Sequence, residues 1–308
     1  MAADNILVIG AASMDLKGHA KREIQRGTSV PGMVTVSYGG VARNVAENLA
    51  RLGQPSILLS AVGDDVFGTQ ILERTAAAGV DVSRVIVSPE YRSASYAAVL
   101  DQTGAKVAAV DDMGVIDLVT PAYLRKNRAL FKTAAMVVLD ANLSPATLAT
   151  VIRIAQEFGV RIAVDPTSAV LAPRIRAHLP EIALIKPDLA EAVVLCRRPI
   201  RGREDAMSAV QELVIAGVGV ALISLAEEGV CYASAVERGY VPAIRCEVVD
   251  YTGAGDSLTA AVVYGLVNHL PLDETMRLGV SAATLTLKCR ETVCPDLSLE
   301  RLYDQLVA

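Results

Sequence analysis

Val249-Asp250-Tyr251-Thr252-Gly253-Ala254-Gly255-Asp256 runs without a break into Ser257-Leu258-Thr259-Ala260-Ala261-Val262-Val263-Tyr264-Gly265-Leu266. The apolar pair Val248-Val249 reads as the end of a strand. The two glycines flanking Ala254 allow a tight turn, because they accept dihedrals and close approaches that a side chain forbids. A long apolar helix begins at or near Asp256. A glycine turn feeding a helix N-terminus presents unpaired N–H groups at the positive end of the helix dipole, which makes an anion site. Asp256, on that first turn, is expected to stay ionised. An anion cradle beside a carboxylate base suits phosphoryl transfer to a hydroxyl. Taken alone, the stretch reads equally well as a plain turn with Asp256 capping its helix.

Working outward, strands and helices alternate through most of the chain. Ile6–Ile9 is a short strand signal ending at Gly10, and Ser13-Met14-Asp15 places a carboxylate beyond its carboxyl end, the edge where open α/β sheets bind ligands. Gly39-Gly40 opens a helix whose Val41, Val45, Leu49 and Leu52 share one face, with Gly53 as its stop. In its first turn Gly40 and Asn44 face either solvent or a polar ligand. Ile57–Val62, Met136–Asp140, Arg161–Asp165, Ile182–Ile185, Val220–Ser224 and Gly229–Ser234 read as further strands; Asp273–Lys288 and Leu299–Val307 read as the last two helices. Two β-rich inserts, at about residues 14–37 and 90–113, break the rhythm, and Asp101-Gln102-Thr103-Gly104 in the second is a hairpin turn. The expected architecture is one α/β domain over 1–308: a doubly wound, mainly parallel sheet with helices on both faces, plus a small β-sheet lid built from the inserts.

Composition narrows the partners. A net charge of −5 over 308 residues argues against nucleic acid or an anionic membrane held by a basic surface. With no Trp and three Phe, a stacking platform for single strands is poorly supplied. Five scattered cysteines without a CxxC pair read as free thiols in a reducing cytoplasm. The N-terminus lacks a basic leader region, and no apolar run approaches the roughly 20 residues that span a bilayer. An exposed edge on the lid sheet would allow a homodimer.

With these pieces placed, the chain resembles the ribokinase-like (PfkB) family of sugar and nucleoside kinases over its full length. Four landmarks carry the resemblance in the family's order: Ser13-Met14-Asp15; Gly39-Gly40 with Asn44; Lys186-Pro187-Asp188 with Glu191; and Asp250-Tyr251-Thr252-Gly253-Ala254-Gly255-Asp256. Within the family it looks most similar to the branch acting on pseudouridine, through Ser95-Tyr96, Asp111-Asp112-Met113, Arg201-Gly202-Arg203-Glu204-Asp205 and Cys294-Pro295-Asp296-Leu297-Ser298.

The resemblance implies a division of labour. Asp256 is the base for the acceptor's 5′-hydroxyl, and the N–H groups of Gly253, Ala254 and Gly255 hold phosphoryl oxygens. Asp15, Gly39, Gly40 and Asn44 hold the sugar. ATP is the donor, with Mg²⁺ ordered through water by Glu191. Asp188, Ser224, Ala226 and Gly229 border the nucleotide; Asp188 stands where many relatives have Asn, and Ala226 where they have Gly. Asp250 and Thr252 match positions that in many relatives help bind a monovalent cation such as K⁺. Pseudouracil keeps two ring N–H donors where uracil in uridine keeps one, and an unpaired buried donor costs ~1–3 kcal/mol. Asp112, and less strongly Ser95, are the expected acceptors on the lid. Ribose, adenosine or a ketohexose are the alternative acceptors. A non-catalytic sensor on the same fold is a further alternative, against which the intact Asp256 and its glycine turn argue.

Overall fold

Short apolar runs closed by a glycine, a proline or a carboxylate set the frame. The protein, seen in a computed structural model, is described for residues 5–307. Met1–Asp4 and Ala308 lie outside the described residues, and with them part of the leader reading. In chain order the elements are β1 (Asn5–Ile9), β2 (Ser13–Ala20), β3 (Gly32–Gly39), α1 (Val41–Arg51), β4 (Ser56–Leu59), β5 (Ala61–Gly63), α2 (Val66–Ala77) and β6 (Ile86–Ser88). Next come β7 (Ala94–Leu100), β8 (Lys106–Asp112), α3 (Pro121–Lys126), β9 (Ala134–Asp140), α4 (Pro145–Phe158), β10 (Arg161–Asp165), β11 (Leu184–Ile185) and α5 (Leu189–Cys196). The chain finishes with α6 (Gly202–Ile215), β12 (Val220–Ser224), β13 (Gly229–Ser234), β14 (Arg238–Pro242), α7 (Ala254–Val267), α8 (Leu272–Leu287) and α9 (Leu299–Val307).

The main sheet runs β14-β13-β12-β11-β10-β9-β1-β4, parallel from β12 to β4, with β13 and β14 added antiparallel at one edge. Side chains alternate across a strand, and this alternation divides the interior in two. Leu7, Ile9, Val137, Leu139, Ile162 and Val164 face one core with α4 and α6. Ile6, Val8, Met136, Val138 and Ala163 face the other, with α1, α7 and α8. Helices therefore cover both faces, as expected. Among the described residues no helix is long and apolar enough to cross a membrane.

The two inserts meet in a second sheet, ordered β3-β2-β7-β8. Its register sorts its side chains. Asp15 pairs with Ser37 and Tyr96, and Tyr96 with Asp111, so these four share one face. Lys17, two residues on, joins them. The other face carries Val34, Val36 and Val110, which are 70%, 57% and 73% exposed.

Two local expectations are corrected. Ile57–Val62 is two strands: β4 stays in the main sheet, and after the buried Ser60 the chain enters β5, which pairs with β6. Val248-Val249 is not a strand. Both residues are exposed, and Val249 donates its N–H to the Leu287 carbonyl at the end of α8.

Candidate active site

The turn entering α7 is fixed by its surroundings. Gly253 has φ +83°, and a Cβ there would lie 1.8 Å from the Thr292 carbonyl oxygen. Only glycine satisfies both the left-handed dihedral and the space. Among the described residues no side chain caps the helix at this end, which leaves its first N–H groups without a side-chain acceptor. Thr252 donates its N–H to Asp250 Oδ1 at 2.8 Å, closing the approach to the turn. Beneath it lies the ammonium of Lys186, 3.0 Å from where a Gly255 Cβ would stand and 2.9 Å from Asp165 Oδ2. Burial alone would lower the Lys186 pKa, but Asp165, Glu191 and Asp256 hold it above the ordinary lysine range.

Asp256 sits in the first turn of α7 and accepts from Asn44 Nδ2 at 2.6 Å. Its carboxyl is pushed up to about 7, first by burial and then by the Asp165 charge; Asn44, Lys186 and Arg43 oppose the rise. The helix dipole thus does not keep it fully ionised at neutrality. Asn44 is fixed in turn by Arg43, whose guanidinium donates to Asn44 Oδ1. That guanidinium is 1% exposed and also reaches the Gly39 carbonyl at 3.1 Å, the Tyr38 carbonyl at 2.9 Å and Glu47 at 2.6 Å. Asn44, expected to bind sugar, is therefore in direct contact with the expected base.

Asp15 is buried on β2, accepts from Ser13 Oγ at 3.0 Å and packs so closely on Gly39 that a Cβ there would meet its Oδ1 at 2.2 Å. Burial raises its pKa, with Ser13, Lys17 and Arg43 opposing. Gly40 has φ +87° and passes so close to Ala11 that a Cβ would be 2.4 Å from its carbonyl oxygen. Both glycines are thus close-approach residues. Lys17 places its ammonium 2.8 Å from both Asp250 oxygens and also donates to the Thr252 hydroxyl.

On the far side of Lys186, Asp188 caps α5. Its Oδ1 accepts from the Glu191 N–H at 2.8 Å, and Glu191 Oε2 accepts from the Asp188 N–H at 2.9 Å, a reciprocal capping box. The carboxylate replacing the family's Asn is thus spent on its own helix. Glu191 is 4% exposed and pushed up to about 7 by burial and by Asp165. Ser224 bridges to Asp188, which brings the Ser224–Gly229 loop alongside. Ala226 adopts φ +49°, the region that favours glycine, so the loop keeps its path at a strain of ~1–2 kcal/mol. Gly229 has φ +106° and no room for a Cβ beside the Val241 carbonyl.

Ser95 and Asp112 are not brought to the Asp15 face. They pair with each other and, by register, share the side of the buried Met14. A strand's two-residue period sends Tyr96 and Asp111 to the Asp15 side instead.

A family model described as pfkB family carbohydrate kinase matches residues 3–297. The chain belongs to the pfkB family of carbohydrate kinases. Pseudouridine kinase of Escherichia coli (strain K12) is 33% identical over 297 residues, covering 96% of this chain and 94% of that protein. A solved carbohydrate kinase from Agrobacterium tumefaciens superposes with TM-score 0.85 at 28% identity, covering 100% and 97% of the two chains. An Arabidopsis thaliana ribokinase complexed with ribose and ATP shares the fold, with TM-score 0.86 at 22% identity over 99% of each chain.

This pfkB-family kinase is a phosphotransferase with an alcohol acceptor, of the sugar and nucleoside class. Four residues around its site carried no assigned role in the sequence reading. Arg43 orients Asn44; Lys186 and Asp165 set the field beneath the turn. Asp140, pushed up to about 6 chiefly by burial, takes the Ala11 N–H at 2.8 Å and the Ala42 N–H at 3.2 Å, pinning Gly39-Gly40 from below. Asp140 and Asp165 each end a parallel strand at its carboxyl end, and Lys186 follows another, a position that could have found them.

Proposed function

We propose that the chain transfers the γ-phosphoryl group of ATP to the 5′-hydroxyl of pseudouridine, giving pseudouridine 5′-phosphate and ADP. The observation that carries the reaction is the position of Asp256: a carboxyl on the first turn of α7, held by Asn44 beside helix N–H groups without a side-chain cap, with the Lys186 ammonium beneath. In this reading Asp256 takes the hydroxyl proton late, as the oxygen bonds to phosphorus and becomes acidic. The N–H groups of Gly253, Ala254 and Gly255, backed by Lys186, hold the charge on the transferring group. Asp15 and the Gly39-Gly40 backbone hold the sugar. Asn44, clamped by Arg43, aims the Asp256 carboxylate.

Asp188, Ser224, Ala226 and Gly229 border the donor nucleotide. Glu191 is raised first by burial and then by the nearby carboxylates of Asp165 and Asp188, with Lys186 opposing, and in this reading that group of carboxylates suits Mg²⁺. Mg²⁺ takes few protein ligands and neutralises phosphate charge. The small sheet acts as the lid that excludes water.

The acceptor is supported by the 33% identity to a pseudouridine kinase. On the Asp15 face of the lid, Asp111 replaces Asp112 as the acceptor for the additional ring N–H. The test is a panel of pseudouridine, uridine, ribose, adenosine and fructose with Mg-ATP, and Asp256→Asn as control. Selective ADP release with pseudouridine supports the reading. Release with ribose alone reassigns the acceptor, and binding without release from any acceptor rejects catalysis. Asp111→Ala is expected to weaken pseudouridine turnover ~10-fold or more over ribose, from the cost of one unpaired donor; equal losses discard that residue.

A further inference from the structure

Asp250 and Thr252 were expected, from the resemblance, to help bind a monovalent cation. In this chain they do not fit one, because a cation of the protein's own is already there. The Lys17 ammonium stands 2.8 Å from each oxygen of Asp250 and donates to the Thr252 hydroxyl. An ammonium carries three donors and no acceptor, and here it meets three acceptor atoms on two side chains. The site is part-buried, with the Lys17 side chain 11% exposed and that of Asp250 27%. A K⁺ ligated by the same side chains would have to share space with a like charge.

We propose that Lys17 is a resident cation that replaces a dissociable monovalent ion beside the anion-binding turn, making this kinase independent of K⁺. Asp250 lies three residues before Gly253, so its bare negative charge would weaken the turn's hold on a phosphoryl group. Lys17 cancels that charge from a position fixed by covalent attachment. Burial works to raise the Asp250 pKa, but bonds from Lys17 and Thr252 outweigh it and keep the carboxylate ionised. The lysine comes from β2, two residues beyond Asp15 on the same face. The charge that completes the turn is therefore delivered by the strand that carries the expected sugar ligand.

The rate measurement rests on the phosphoryl-transfer reading; a melting measurement does not. Initial rates of the native protein are compared in KCl and in choline chloride at equal ionic strength, and are expected to agree within about twofold. Lys17→Ala in choline chloride should lose on the order of 10- to 100-fold in kcat, and KCl or NH₄Cl should restore much of it. Lys17→Arg, which keeps the charge, should give equal rates in the two salts. In thermal melts K⁺ should raise the Tm of Lys17→Ala relative to choline and leave the native Tm unmoved. Strong K⁺ activation of the native protein overturns the proposal. So does a Lys17→Ala protein as active as native without K⁺, or one that K⁺ neither activates nor stabilises. If Lys17→Ala does not fold, the native titration with K⁺ decides. Should no acceptor be turned over at all, the function reading fails while the melts still test Lys17.

Discussion

Asp256 and Asn44 give the sharpest test at the level of single residues. In the proposed reaction Asp256 can take a proton only when ionised, and burial with Asp165 pushes its carboxyl up to about 7. The profile of kcat/KM should therefore fall on the acid side of neutrality. Asn44 is among the groups holding that pKa down, so Asn44→Ala should move the acid limb to higher pH as well as lower the rate; an unmoved limb in a pH–rate titration would remove Asn44 from this role. Asp256→Asn should cost roughly 10²–10⁴ in kcat while leaving nucleotide binding measurable. The places of Asp256, its glycine turn and Asp15 were legible in sequence, because unusual residue types in a short span mark them. Arg43 was not. An arginine on an amphipathic helix reads as solvated, whereas bonds to Glu47, Asn44 and the Gly39 and Tyr38 carbonyls explain its burial.

The turn into α7 acts as a unit with the segment carrying Thr292. Gly253→Ala would press a methyl against the Thr292 carbonyl, 1.8 Å away in the present geometry, and hold a non-glycine residue at φ +83°. The dihedral alone costs ~1–2 kcal/mol, and the clash requires the turn to shift. We expect a lower Tm together with a loss of activity larger than the loss of stability; native kinetics in that variant would show the turn's shape to be dispensable. The sequence located this turn but mistook what precedes it. Val248-Val249 carries β-branched residues, yet hangs on the end of α8 by backbone bonds, a tertiary choice that overrides propensity. The split at Ser60 is of the same kind, since one continuous apolar run serves two sheets. Ser95 and Asp112 lie on the face away from Asp15 for another reason. Their β-rich insert and its turn were identified, but which face each residue takes depends on register, and a one-residue offset exchanges the faces.

For the molecule as a whole, Asp140, Glu191 and Asp256 all have carboxyls raised above their unfolded values, to about 6, 7 and 7, burial being the largest cause of each. Each raised group contributes stability that is present when protonated and lost as pH rises through its folded pKa. Thermal melts should therefore show Tm falling between roughly pH 5 and pH 8 in the absence of ligands; a Tm that climbs across that range would contradict these environments. The doubly wound architecture was readable because buried parallel strands are apolar runs spaced by amphipathic helices. The short edge strand β14 was missed, as Arg238–Pro242 offers little apolar pattern of its own.

Strand order also bears on how the chain is made. β1 lies between β4 and β9, so one side of the first strand stays unpaired until Ala134–Asp140 has left the ribosome. Until then a nascent chain presents an open strand edge, apolar from Ile6 to Ile9, the feature that recruits chaperones or templates aggregation. A stalled chain ending before Ala134 should be captured and insoluble, whereas one long enough to fold β9 and α4 should begin to shield that edge.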